Sequence, residues 1–198
     1  MPASTRFQEE LADCPVQQFS ERCFRVVDLE DYVKEPTPSL LFDLGPKISK
    51  GGLRFSPPND HRGLYVSATL ATAGSEFAQG RKAWKGGDCG KHVSFDMSVK
   101  LTSVLDLTLA SIRSALKTSK AEIMSQWKEF STLNHGAWPP TWILGHHAYA
   151  SGRFDGILFP SNRDPSGTCL LIFTERLVAG VTHVIIHRAD GTHWEQLP

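Results

Sequence analysis

Residues 92–101, HVSFDMSVKL, decide the fold class. Val93, Phe95, Met97, Val99 and Leu101 alternate with polar residues, and successive side chains on a strand point to opposite faces, so the stretch reads as a half-buried β-strand. Its apolar face needs other elements to cover it. Upstream, residues 63–67 (GLYVS) read as a strand, and residues 69–79, rich in alanine and closed by Gly80, read as a helix that carries Glu76. Further back, residues 23–29 (CFRVVDL) predict a first strand, with a short helix over residues 6–11 before Pro15. Downstream, helices are predicted over residues 109–116, 119–133 and 142–151. The second carries Ser119 where it can cap and Glu122 three residues later, as in a capping box. Three more strands follow at residues 154–159, 169–173 and 183–187, the first two joined by the turn-rich segment SNRDPSGT. Strands and helices are mixed without regular βαβ alternation. The expected architecture is therefore a single α+β domain around a compact, mostly antiparallel β-sheet flanked by helices.

Composition narrows the function. The chain has 198 residues, long enough to bury a core without disulfides or metals. Lys plus Arg and Asp plus Glu both total 21, which removes the basic field a nucleic-acid binder exploits, so no direct contact with nucleic acid is expected. Apolar runs such as Leu170 to Phe173 fall far short of the roughly 20 residues of a membrane span. The first ten residues hold acidic side chains and no apolar signal region, so a cytoplasmic start is expected. Cys14, Cys23, Cys89 and Cys169 lack C-x-x-C spacing and read as reduced, mostly packed thiols. His146, His147 and the four other histidines from His135 onward lack carboxylate or thiolate partners at ligand spacing, so no metal is expected. No GxGxxG or Walker loop is present, so any nucleotide must be held in another way. Residues 35–58, rich in proline and glycine, read as an ordered irregular loop of the kind that often carries function.

Five short segments, in order, carry a resemblance. Phe24-Arg25-Val26 on the first strand is followed by Gly51-Gly52-Leu53-Arg54-Phe55-Ser56-Pro57. Leu64-Tyr65 then precedes Glu76 by eleven residues, Val104-Leu105-Asp106-Leu107 comes next, and Phe154-Asp155-Gly156-Ile157 runs through Pro160-Ser161 to Leu171-Ile172-Phe173. Together they resemble the RES-domain family, named for an Arg, a Glu and a Ser. The resemblance covers about residues 23–177, leaving residues 1–22 as an N-terminal extension and residues 178–198 as a C-terminal strand and tail packed on the same domain. The loop departs from the family's GGRWNP pattern: Leu53 intrudes before Arg54, and Phe55 stands where a Trp is usual. The resemblance implies an ADP-ribosyltransferase-like fold and a toxin of a toxin–antitoxin system that depletes NAD⁺, as a glycohydrolase or phosphorylase. It implies either an Xre-type antitoxin as partner or, for a delivered effector, an immunity protein. Two other readings remain open: mono-ADP-ribosyl transfer to a protein or nucleic acid, and a degenerate domain that only binds a nucleotide or a partner.

The residue chemistry suits NAD⁺ as substrate. Nicotinamide leaves as a neutral molecule, so no general acid is needed to protonate it, and one carboxylate can stabilise the positive charge growing on the ribose. Glu76 is the candidate for that role, with Arg54 and Ser161 completing the catalytic set. Arg25 and Arg54 offer forked guanidinium donors to the pyrophosphate. Tyr65 offers an aromatic face to the cationic nicotinamide ring. Ser161 can hydrogen-bond a ribose hydroxyl or phosphate and accept from Glu76 or an arginine. No GxSxG elbow marks it as a nucleophile. Taken without the family, Arg54 would read as a solvated loop charge, Glu76 as a helix-surface carboxylate, Tyr65 as a strand aromatic, Arg25 as half of an ion pair and Ser161 as a turn cap.

Overall fold

The computed structural model describes residues 5–34, 52–85, 90–187 and 193–198. Within them the elements run α1 (Gln8–Asp13), β1 (Gln17–Asp28), α2 (Leu29–Lys34), β2 (Leu64–Ser67), α3 (Leu70–Lys85), β3 (His92–Asp106), α4 (Ala110–Ala115), α5 (Lys120–Ile123), α6 (Trp127–Leu133), α7 (Pro140–Ala150), β4 (Gly156–Pro160), β5 (Thr168–Ile172), a 3₁₀ turn (Thr174–Arg176), β6 (His183–His187) and β7 (His193–Leu197). The described strands form one sheet in the order β1-β2-β5-β4-β3-β6-β7, in which β1 also pairs with β3. Five strands therefore close on themselves, and β6 and β7 extend outward from β3. Pairing is antiparallel except between β3 and β4, so the fold is α+β and mostly antiparallel.

Alternation along the strands divides the core in two. On β5, Leu170 and Ile172 join Val66, Met97, Val99 and Val184 in one cluster, while Cys169 and Leu171, with Phe173 just past the strand, join Phe55, Leu144, Phe154 and Phe159 in the other. The second cluster lies where α1, α4, α5 and α7 cover the sheet, and it supports the residues described below. Burial of each large apolar side chain contributes about 1.5–3 kcal/mol.

β1 begins at Gln17, six residues earlier than its apolar pattern suggests, because Gln18, Ser20, Glu21 and Arg22 face solvent while the backbone pairs with β3. β3 likewise runs on to Asp106, taking in the Val104–Asp106 segment. The helix expected over residues 119–133 is two helices. Ser119 does cap, accepting from the Glu122 N–H at 3.1 Å. The Ile123 carbonyl, however, which a continuous helix would offer to the Trp127 N–H, accepts from Arg54 Nη1 at 2.9 Å instead. Trp127 N–H turns to the Ser125 carbonyl at 3.0 Å, and the chain restarts as α6. Gly51, Cys89 and most of the proline-rich loop lie outside the described residues. Cys14, Cys23 and Cys169 are buried free thiols.

Candidate active site

Arg25, Arg54, Tyr65 and Glu76 line one cavity of about 580 Å³, a size suited to a small ligand. Each comes from a different element, so the cavity depends on how those elements meet. Arg25 stands on β1, and its Nη1 donates to the Tyr65 carbonyl at 2.7 Å, joining β1 to β2 where their ladder has a single pair, Phe24 with Ser67. Tyr65 stands on β2, where alternation turns its ring toward Phe159 and the helical side of the sheet. Glu76 stands on α3, the helix that directly follows β2.

Arg54 lies on the turn that enters β2. The turn is closed by the Leu53 N–H bonding to the Ser56 carbonyl at 2.7 Å, with Gly52 at φ 66°, a conformation glycine adopts without steric cost. Trp142 Nε1 on α7 donates to the Leu53 carbonyl at 2.7 Å, and Phe55, beside Arg54, is fully buried against Phe159. Gly145 allows α7 to lie against this turn, since a Cβ there would sit 1.7 Å from the Phe55 carbonyl oxygen. Burial pulls the Arg54 guanidinium below its ordinary value, opposed by the charge of Glu76.

Ser161, only 1% exposed, sits behind Glu76 rather than on the cavity wall. Its hydroxyl donates to Glu76 Oε1 at 2.5 Å, the reverse of the expected direction, because an ionised carboxylate can only accept. The same oxygen accepts from the Arg163 and Asp164 N–H groups at 3.1 and 3.0 Å, so the turn after β4 fixes the hydroxyl. Cys169 Sγ stands 3.9 Å from the same Glu76 oxygen, and burial together with the Glu76 charge pushes its thiol up to about 12. Glu76 is thus approached from below by two neutral donors.

Sequence reasoning did not single out Trp127, Lys128 and Arg163, which also line the cavity. Trp127 and Lys128 enter because the 119–133 segment breaks, with Lys128 Nζ lying 5.2 Å from the Trp127 ring centroid. Asp155 of the FDG segment acts at a distance. Its Oδ2 accepts from Thr102 N and Oγ1 and from Ser103 N at 2.8 to 3.0 Å, holding β3 beside β4. Of the histidines, His146 Nδ1 meets Asp60 Oδ1 at 2.8 Å and lies T-shaped to Trp138.

Comparison with known proteins gives two findings. A model of the RES domain family matches residues 22–195. The fold is similar to a chain in the crystal structure of the M. tuberculosis MbcT–MbcA toxin–antitoxin complex, with a TM-score of 0.67 and 16% identity over 98% of this chain and 92% of that one. At that identity the likeness is one of fold. No curated protein matches the chain.

Proposed function

This chain belongs to the RES domain family, and from that premise we propose that it is a toxin that cleaves the bond between nicotinamide and ribose in NAD⁺. The observation that carries the reading is the Glu76 carboxylate, held from below by Ser161 at 2.5 Å and facing a cavity walled by three arginines and a tyrosine. Such a carboxylate is poised against a cation that forms late in bond breaking. As the C1″–N bond breaks, its electron pair goes to nicotinamide, which departs neutral and leaves positive charge on the ribose. The Glu76 carboxylate stabilises that charge by proximity in a partly dehydrated site. An oxygen of water or phosphate then forms the new bond to C1″, and with water the released proton passes to Glu76 or solvent. Arg25 and Arg54 supply cationic donors for the pyrophosphate, and the Tyr65 ring offers its face to nicotinamide at a gain of about 0.5–2 kcal/mol. The structural neighbour is a toxin in complex with its antitoxin. By analogy a cognate antitoxin, of the Xre type by the family resemblance, is the expected partner here.

Product analysis by NMR tests the reading. Purified protein mixed with NAD⁺ is expected to release nicotinamide without any acceptor protein, giving ADP-ribose in plain buffer or its 1″-phosphate when inorganic phosphate takes part. Glu76→Gln is expected to lower kcat at least about 100-fold, as loss of a positioned catalytic carboxylate does. Arg54→Ala is expected to weaken both binding and turnover. No nicotinamide from the folded protein under either condition would refute the reading and favour transfer to a missing acceptor or a binding role.

A further inference from the structure

Behind Tyr65, away from the cavity, runs a chain of hydrogen bonds. Asp60 bridges two histidines, with Oδ2 2.7 Å from His61 Nδ1 and Oδ1 2.8 Å from His146 Nδ1. His61 Nε2 lies 3.1 Å from Ser56 Oγ, and Ser56 Oγ lies 3.2 Å from the Tyr65 hydroxyl, which in turn accepts the Phe55 N–H at 3.0 Å. The His61 side chain is fully buried, stacked on Tyr149 at 4.8 Å and met edge-on by Phe173 at 5.1 Å, so its ring plane is fixed. Ser56 is 5% exposed.

The carboxylate at one end of the chain and the Phe55 N–H at the other constrain the directions of the bonds between them. Burial works to raise the Asp60 carboxyl, but the hydrogen bonds from His61 and His146 outweigh it and hold the group below its ordinary value. An ionised Asp60 can only accept, so both Nδ1 atoms carry protons. In the His61 tautomer with the proton on Nδ1 alone, Nε2 is an acceptor and Ser56 donates to it. Ser56 Oγ accepts in turn from Tyr65, whose oxygen receives the Phe55 N–H. The arrangement repeats the Ser, His, Asp connectivity of hydrolytic triads, but a Ser56 hydroxyl buried and engaged in this way is no nucleophile. Its output is the orientation of Tyr65 and of the backbone beside Arg54.

We propose that Asp60 and His61, acting through Ser56, are positioning residues that hold Tyr65 and the Arg54 turn in the geometry that turnover requires. This rests on the NAD⁺-cleaving reading. An Asp60→Asn change keeps the shape but replaces one acceptor with a donor, so that one histidine must change tautomer; on His61 that change makes Nε2 a donor and reverses its bond to Ser56. Steady-state nicotinamide release is to be measured for Asp60→Asn, Ser56→Ala, Tyr65→Phe and the Asp60→Asn/Tyr65→Phe double variant, with thermal melts confirming the fold. Asp60→Asn and Ser56→Ala are each expected to lower kcat about tenfold while KM for NAD⁺ changes less than about threefold. The double variant is expected to be no slower than its slower parent, because both changes cut the same chain. Wild-type kcat in the Asp60 and Ser56 variants, or single effects that multiply in the double variant, would overturn the proposal. If Asp60→Asn does not fold, Ser56→Ala carries the kinetic test alone. If the wild-type protein releases no nicotinamide, the reaction assignment fails separately. The relay then stands if the Phe55 amide proton in a ¹H–¹⁵N spectrum shifts in Ser56→Ala and Asp60→Asn as it does in Tyr65→Phe, and falls if it keeps its wild-type position.

Discussion

In the proposed reaction Glu76 is the residue on which the chemistry turns, and the Ser161 hydroxyl is the nearer of the two donors beneath it. Ser161 donates to it at 2.5 Å while two backbone N–H groups hold the Ser161 oxygen, so the carboxylate has little freedom to rotate away. A hydrogen bond to a charged group contributes about 1.5–3 kcal/mol, and a carboxylate that loses it samples unproductive orientations. Ser161→Ala is therefore expected to lower kcat between about tenfold and 100-fold, and to lower the melting temperature as well, because the Arg163 and Asp164 N–H groups lose their acceptor. A kcat within a factor of about two of wild type would mean that the helix and the Cys169 thiol hold Glu76 without Ser161. At this scale the sequence was informative where short motifs recur in order. Arg25, Arg54, Tyr65 and Glu76 could be named from motif order, and the structure brings them to one cavity. Asp60 and His61 could not, because adjacent polar residues in a loop look like solvated charges until Tyr149, Phe173 and Ser56 are seen to enclose the ring. Their one sequence signal is the Ser56, Asp60, His61 spacing beside an arginine turn.

At the scale of elements, the approach of α7 to the Arg54 turn decides whether the cavity has a wall. Gly145 makes that approach possible, and a methyl group there would lie 1.7 Å from the Phe55 carbonyl oxygen and 2.6 Å from its carbon. Both are backbone atoms, so the clash can be relieved only by moving the helix or the turn. Gly145→Ala is expected to destabilise the protein by about 2–3 kcal/mol despite the better helix propensity of alanine. It is also expected to raise KM for NAD⁺, because the displaced turn carries Arg54. Urea denaturation read beside kinetics checks both effects, and an unchanged midpoint would show that α7 can shift freely. Element type was legible wherever the period was strong, as in β3, or an alanine-rich run followed a strand, as in α3. The break between α5 and α6 was not, since it arises from a guanidinium 69 residues away capturing the Ile123 carbonyl. Local pattern holds no trace of such a partner.

For the whole molecule, buried titratable groups predict a stability optimum with two identifiable limbs. Asp60 is held below its ordinary value in the folded state, so it binds a proton more readily when unfolded. Its contribution is present above the usual carboxylate range and is lost as pH falls through the folded value. Glu122, bonded to Arg6 and Thr118 at 2.6 to 2.8 Å, acts in the same direction, its carboxyl lowered by those bonds against the cost of burial. Burial pushes the Cys23 and Cys169 thiols from 9.0 up to about 12, so the folded state keeps protons that the unfolded chain sheds. Their contribution is complete below about 9 and declines as pH rises from there toward 12. Melting temperature measured from pH 3 to 10 is therefore expected to form a plateau around neutrality, at roughly pH 5 to 8, with an acid and an alkaline limb. Asp60→Asn should flatten the acid limb and Cys23→Ala the alkaline one, each relative to its own neutral value. Parallel curves for wild type and Asp60→Asn would mean that the two histidines do not hold that carboxylate in its charged form, and the bond directions derived for the Tyr65 relay would lose their starting point.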